Sequence, residues 1–178
     1  MGKNVSKKEY INYIITGALI AAAYAGLTYL CSALGIAYGP IQLRVSEVLT
    51  ILPVFTPAAI PGLTVGCFIA NIGSFNVADM IFGTFATFIA ASLTYCLRNV
   101  KFKKIPLLSL LSPVIINAFI IGFEIAVLFL PEGYSFWGFV IAAIEVGIGE
   151  FIVCFVFGIP FYFVVDKYRI FDMKFIKR

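Results

Sequence analysis

Long runs without a charged residue constrain this 178-residue chain more than any other feature. A helix needs about 20 apolar residues to cross a bilayer, and each run reaches or approaches that length. Only 12% of the residues are charged and 62% are hydrophobic, whereas about 25% are charged in soluble domains. The chain is therefore predicted to be an all-α, polytopic membrane protein with a single domain over residues 1–178. The uncharged runs are residues 10–43, 48–78, 80–97 and 105–123.

Clusters of Lys and Arg predict which side of the membrane each loop faces. Twelve of the thirteen basic residues lie near residues 3–8, 98–104 and 167–178. Cytoplasmic loops carry an excess of Lys and Arg, so the tails at about 1–9 and 167–178 and the 98–104 loop are predicted to be cytoplasmic. An even number of spans must then separate the first two clusters. The net charge of +4 comes from these clusters. Their attraction to anionic lipid accounts for it, and no nucleic-acid partner is predicted.

Three prolines decide how the chain is divided between the first two clusters. Pro53, Pro57 and Pro61 interrupt one apolar run, and proline removes a helix hydrogen bond and clashes with the preceding turn. The run is therefore predicted to form two short elements joined by a tight turn, with local bilayer thinning or partial burial. The whole protein is predicted to have six transmembrane helices. They are residues 10–36, 43–56, 59–73, 76–97, 106–130 and 136–166.

Ionisable groups within the apolar runs indicate a binding site, because such groups are costly in a membrane and usually functional. Arg44 is the one basic residue outside the clusters, and the topology puts it on the outer side beside Glu47. One arginine cannot neutralise five acids, so we expect a cationic or donor-rich ligand, or some carboxyls held protonated. The candidate substrate-binding residues are Arg44, Glu47, Asn71, Asp79, Asn117, Glu124, Glu145 and Glu150.

Several kinds of chemistry are missing from the sequence. The chain has no His, and its four Cys are scattered singly, which argues against a metal site and against a disulfide framework. No Gly-x-x-x-x-Gly-Lys-Ser/Thr phosphate loop is present, so the chain does not itself hydrolyse ATP in the usual way. The commonest general base is also absent. We therefore predict no cofactor, no metal and no enzymatic activity.

Small residues recur on the first predicted helix. Ala18 and Ala22 form one small-xxx-small pair, and Ala21 and Ala25 form another. Such spacing lets another helix approach closely. Either pair could dock a partner protein or pack inside the bundle, and the sequence leaves both possibilities open.

The block from Tyr38 to Glu47, with Leu52-Pro53 and the Phe-Thr-Pro-Ala-Ala-Ile-Pro-Gly-Leu run at 55–63, resembles the QueT family. The resemblance spans about residues 10–166. It implies the six-helix fold of a substrate-binding (S) component of an energy-coupling factor (ECF) importer, in the bacterial plasma membrane. Shorter matches are found at Asn71, residues 79–84, Asn117 and residues 149–150.

The resemblance also implies partners and a substrate. The partners are a transmembrane scaffold subunit and two cytoplasmic ATPases, which would explain the missing phosphate loop. One of the two alanine pairs is the implied docking face. The implied substrate is a queuosine precursor, most of all 7-aminomethyl-7-deazaguanine, with queuine and the 7-cyano compound left open. The alternatives are a carrier for another small vitamin-like solute and a membrane scaffold protein without a transported ligand.

Carboxylates suit such a ligand, because a guanine-like edge offers adjacent N–H donors that one carboxylate can accept together. We expect Glu145 or Glu124 to accept this edge. Asp79 or Glu47 is expected to pair with the aminomethyl cation, with Arg44 holding Glu47. Asn71 and Asn117 can serve a carbonyl or a ring nitrogen.

Overall fold

The structure is a computed structural model that describes residues 7–37, 44–131 and 133–171. Within these ranges the protein is helical and contains no β-sheet, so the all-α prediction is confirmed. Four parts of the chain lie outside the described residues. They are residues 38–43 of the block that begins at Tyr38, Glu132, and the outer parts of both basic tails. In chain order the elements are α1 (Lys7–Ala33), a 3₁₀ helix (Val45–Val54, the 3₁₀ segment), α2 (Ala59–Ile72), α3 (Val77–Cys96), α4 (Leu107–Leu128), α5 (Phe136–Phe151), a π-helical turn (Ile152–Phe157) and α6 (Gly158–Tyr168).

Four helical stretches of the described chain are long and apolar enough to cross a membrane. They are α1, α3, α4 and the continuous run from α5 through α6. The 3₁₀ segment and α2 have only 10 and 14 residues. Each therefore spans roughly 20 Å, against about 30 Å for the hydrocarbon core. The fold agrees with six helical segments, of which the two proline-rich ones are short, as the sequence predicts.

The proline-rich run breaks where the sequence predicts a break. The 3₁₀ segment ends at Val54 and α2 begins at Ala59. Pro61 lies in the first turn of α2, where its missing N–H removes no helix hydrogen bond. The first of the two elements differs in type, because it is a 3₁₀ helix. Such runs rarely exceed three or four residues, but seven of these ten residues are buried, so packing from the surrounding helices holds the tight winding.

Helices α1 and α2 approach each other through residues without bulky side chains. A Cβ added to Gly62 would lie 2.7 Å from the Gly17 carbonyl oxygen, and one added to Gly66 would lie 2.8 Å from the Ala21 carbonyl oxygen. The two contacts are four residues apart on both helices and follow the same chain direction. The two backbones therefore run parallel and in direct contact. This is small-xxx-small packing, and it uses the Ala21 side of α1.

Helices α3 and α4 are joined by a reciprocal pair of hydrogen bonds. Thr94 Oγ1 donates to the Ser109 carbonyl, and Ser109 Oγ donates to the Thr94 carbonyl, both at 3.1 Å. Pro113 lies within α4 and has no N–H for the Ser109 carbonyl four residues earlier. Thr94 therefore supplies the donor that the proline lacks, as a membrane-embedded helix requires.

We expect Gly66→Ala to destabilise the protein by about 1–3 kcal/mol, because the new methyl group overpacks the backbone of α1. The matched control is Gly26→Ala, since a Cβ at Gly26 meets nothing within 4 Å. The measurement is thermal unfolding of both purified variants in one mild detergent. Equal midpoints for the two variants would contradict the close approach of α1 and α2.

Candidate substrate-binding site

An enclosed polar cavity lies where the 3₁₀ segment meets α2, α3, α4 and α5. Its free space is ≈ 20 Å³, about enough for one water molecule. An organic ligand is several times larger, so the lining must move apart to admit one. Its lining combines acids, an amide and a guanidinium with apolar and small side chains. The lining residues are Arg44, Glu47, Cys67, Gly83, Thr87, Asn117, Ile121, Val146 and Glu150.

Glu47 reaches the cavity from the first turn of the 3₁₀ segment. Tyr24 of α1 donates its hydroxyl hydrogen to Glu47 Oε1. Glu47 Oε2 is buried and has no hydrogen-bond partner among the described residues. A buried acceptor without a donor is unfavourable by about 1–3 kcal/mol. Glu47 is therefore held at one oxygen, and its second oxygen keeps its capacity to accept a hydrogen bond.

Glu150 and Asn117 line the cavity from α5 and α4. Asn117 Nδ2 donates to Glu150 Oε1 at 2.6 Å, which ties α4 to α5. The Cys154 thiol lies 3.7 Å from Glu150 Oε2 and 3.9 Å from the Glu47 carbonyl oxygen. Cys154 belongs to the π-helical turn, and such turns are frequent at functional sites. The turn thus brings α5 and the 3₁₀ segment together behind the two acids.

Arg44 and Asn71 connect the cavity to the start of α3. Arg44 Nη1 donates to Asn71 Oδ1 at 3.0 Å, and Asn71 Nδ2 donates to the Asp79 carbonyl at 2.9 Å. Asn71 is fully buried, and a Cβ added to Gly83 would lie 2.5 Å from Asn71 Nδ2. Gly83 is therefore the residue that gives this amide its space. Asn71 uses both ends of its side chain to position Arg44.

The remaining predicted acids lie outside the cavity lining. Asp79 is half-buried in the first turn of α3, and Glu124 is buried on α4. The Thr94–Ser109 contact sets the register of α3 against α4 and places Asp79 and Glu124 at the same level. Glu145 is half-buried on α5, beside Val146, and does not line the cavity. The structure therefore brings together Arg44, Glu47, Asn117 and Glu150, with Asn71 behind them and the Asp79–Glu124 pair near one end.

Sequence reasoning missed Tyr24, Cys67 and Thr87. Thr87 lies on the same face of α3 as Asp79 and Gly83, because four-residue steps follow one face of a helix. That periodicity could have identified Thr87 as a candidate. Tyr24 lies in an uncharged run with many aromatic residues, and only the fold shows that it meets Glu47.

The four alanines of α1 separate into two faces. Ala21 and Ala25 are buried, whereas Ala18 and Ala22 are exposed. A groove of ≈ 260 Å³ between α1 and α2 is lined by Ala18 of the exposed pair and by Ala21 of the buried pair. Its lining is mostly apolar and includes Tyr13, Gly17, Ala18, Pro61, Gly62 and Val65.

An apolar helical bundle that encloses ionisable groups around a cavity has the architecture of a membrane transport protein. Residues 14–167 match the family described as QueT transporter, and the chain belongs to that family. The predicted resemblance is thereby confirmed. The family is one of transporters and not of enzymes.

A relative from Lactococcus lactis subsp. cremoris (strain MG1363) is described as queuosine precursor transporter QueT. It is 40% identical over 98 residues, which cover 55% of this chain and 57% of the relative. The similarity therefore spans little more than half the length of that relative. No solved structure matches the chain.

Proposed function

We propose that the protein captures a queuosine precursor in the membrane for import into the cell. The substrate is a 7-deazaguanine, and 7-aminomethyl-7-deazaguanine is the one that an acid-rich site suits best. Membership of the QueT transporter family and the name of the Lactococcus relative support this proposal. The observation that supports it most is the cavity lined by Glu47, because the buried Oε2 of Glu47 has no hydrogen-bond donor among the described residues.

The guanine edge of this substrate carries two adjacent N–H groups, which one carboxylate can accept together. Glu47 and Glu150 face the cavity and are our candidates for this role. Asn117 holds Glu150 in place. Arg44 supplies donors for a carbonyl oxygen on the other side of the base. Glu145 stays a sequence-based alternative for the guanine edge, at a position away from the cavity.

We expect purified protein to bind 7-deazaguanines, and Glu47→Gln or Glu150→Gln to weaken the binding of every one of them. The loss of one charge-assisted hydrogen bond to a buried ligand corresponds to about 1.5–3 kcal/mol, or roughly ten- to a hundred-fold in affinity. The measurement is equilibrium binding by titration calorimetry. Asp166→Asn is the matched control, because Asp166 is exposed on α6.

Two results would redirect this assignment. A loss with Glu145→Gln that equals the loss with Glu47→Gln would assign the guanine edge to Glu145. Binding of another vitamin-like solute, with none of any 7-deazaguanine, would favour a carrier for a different substrate. Size-exclusion and melting profiles show whether each variant is folded.

Import of the bound substrate needs energy from other subunits. We propose that the protein is the S component of an ECF importer, coupled to a transmembrane scaffold subunit and two ATPases. The absence of a phosphate loop from the sequence agrees with ATP hydrolysis on separate chains. Ala18 and Ala22 are the proposed docking residues, because both are exposed and Ala18 lines the groove, while Ala21 is buried against α2.

The double variant Ala18→Leu/Ala22→Leu should abolish uptake while leaving substrate affinity within about two-fold, since bulky side chains block close helix approach. Uptake is measured in cells that also produce the scaffold and the ATPases, and affinity on the solitary protein. Ala23→Leu is the control, because Ala23 is an exposed alanine on a different face of α1. Normal uptake by the double variant would exclude this docking face.

Both termini are proposed to be cytoplasmic, with the α4–α5 turn outside, because the basic loop at 98–104 should remain in the cytoplasm. A cysteine at Tyr134 should react with an impermeant maleimide in intact cells. A cysteine at Asn99 should react only after permeabilisation. Both changes belong in a Cys96→Ser background, because Cys96 is exposed while Cys31, Cys67 and Cys154 are buried. Labelling of both positions from one side would refute the orientation.

A further inference from the structure

Asp79 and Glu124 lie at one level of the bundle, where α3 begins and α4 ends. Asp79 is 15 residues before Thr94 and Glu124 is 15 residues after Ser109, the two residues that join these antiparallel helices. Glu124 is 1% exposed, and neither of its carboxyl oxygens has a hydrogen-bond partner among the described residues. An ionised carboxylate only accepts hydrogen bonds, so the two acids cannot satisfy each other. The pair requires a proton, a donor or a positive charge between its oxygens.

Positive charge near this pair is shared among several acids. The Arg44 guanidinium attracts the Glu124 carboxyl group electrostatically, but it also attracts the carboxyl groups of Glu47 and Glu150. The helix dipole favours an acid in the first turn of α3, which accounts for Asp79. Glu124 lies near the carboxyl end of α4, where the dipole gives an acid no stabilisation. Helix electrostatics therefore leave Glu124 unexplained.

The acid pair and the cavity form two layers along the same helices. Asp79 lies eight residues before Thr87 on α3, and Glu124 lies seven residues after Asn117 on α4. At 1.5 Å per residue, the layers are about 10–12 Å apart on both helices. Gly83 lies between Asp79 and Thr87 and lines the cavity, with the Asn71 amide packed against it. One bicyclic base can bridge them once the lining moves apart.

We propose that Asp79 and Glu124 form a separate subsite for a primary ammonium group on the substrate. The guanine edge then lies deeper, against Glu47 and Glu150, and the aminomethyl arm points toward the start of α3. This inference rests on the proposed function and adds to it the two residues that hold the ammonium group and the orientation of the substrate. It makes the acid pair a determinant of specificity, because a ligand without a cation leaves the pair unsatisfied.

The test compares two ligands that share the guanine edge and differ in charge at the substituent. They are 7-aminomethyl-7-deazaguanine, which is a cation, and 7-cyano-7-deazaguanine, which is neutral. Glu124→Gln should weaken binding of the aminomethyl compound by about ten- to a hundred-fold, since the change removes a charge-assisted hydrogen bond. Binding of the cyano compound should change by less than about three-fold. Asp166→Asn, an exposed acid on α6, should change neither affinity.

Asp79→Asn provides the second variant, because Asp79 is only half-buried and the change keeps the shape of the side chain. It should show the same discrimination even where Glu124→Gln does not fold. Equal losses for both ligands in Asp79→Asn would overturn the subsite. Wild-type protein that prefers the cyano compound would also overturn it, because an acid pair that holds a shared proton has no need of a cation.

The same titrations separate failure of this inference from failure of the proposed function. Wild-type protein that binds neither compound would refute the proposed function, and the subsite with it. Wild-type protein that binds both, with losses in Glu47→Gln but no discrimination in Asp79→Asn, would retain the function and refute the subsite. A selective loss of the aminomethyl compound supports both.

Discussion

Carboxylates enclosed in a membrane-embedded bundle need hydrogen-bond donors, and this requirement organises the centre of the protein. Water is absent from the hydrocarbon core, so each buried acid depends on a neighbouring side chain or on a ligand. Tyr24 donates to Glu47, and Asn117 donates to Glu150. These two contacts join α1 to the 3₁₀ segment and α4 to α5. Within the described parts of the chain, Glu47 Oε2 and both oxygens of Glu124 have no hydrogen-bond donor, and the proposed ligand would supply donors there.

The 3₁₀ segment is the element that makes this arrangement possible. It is too short to cross a bilayer, and most of its residues are buried among the other helices. Its position in the interior carries Glu47 away from lipid and opposite Glu150. The direct backbone contact between α1 and α2 complements it, because Gly62 and Gly66 allow α2 to lie close to α1. A larger side chain there would displace α2, which carries Asn71 and Cys67 on its buried face.

Binding and docking are assigned to different parts of the molecule. The polar cavity is formed by the inward faces of α2 to α5 and the 3₁₀ segment. The exposed alanines lie on α1, and Ala18 lines an apolar groove that has no charged side chain among its lining residues. Helix α1 takes part in both regions, because Tyr24 reaches Glu47 while Ala18 and Ala22 face outward. A partner that moves α1 would therefore act directly on Glu47, which offers a physical route from docking to substrate release.

The sequence by itself determined the helical membrane fold, the proline break and the family. Backbone groups in lipid are satisfied only in helices or closed barrels, and proline in a helix interior removes a hydrogen bond and clashes with the preceding turn. It also identified which polar residues are unusual, because an acid in an apolar run is conspicuous without any coordinates. Only the tertiary structure decided which of these acids share a cavity, and why Ala21 is internal while Ala18 is exposed. Those outcomes depend on the rotation and register of helices distant in the chain, which periodicity along one helix does not contain. Tyr24 shows the limit, since a tyrosine in an apolar run acquires a role only when another element places Glu47 beside it.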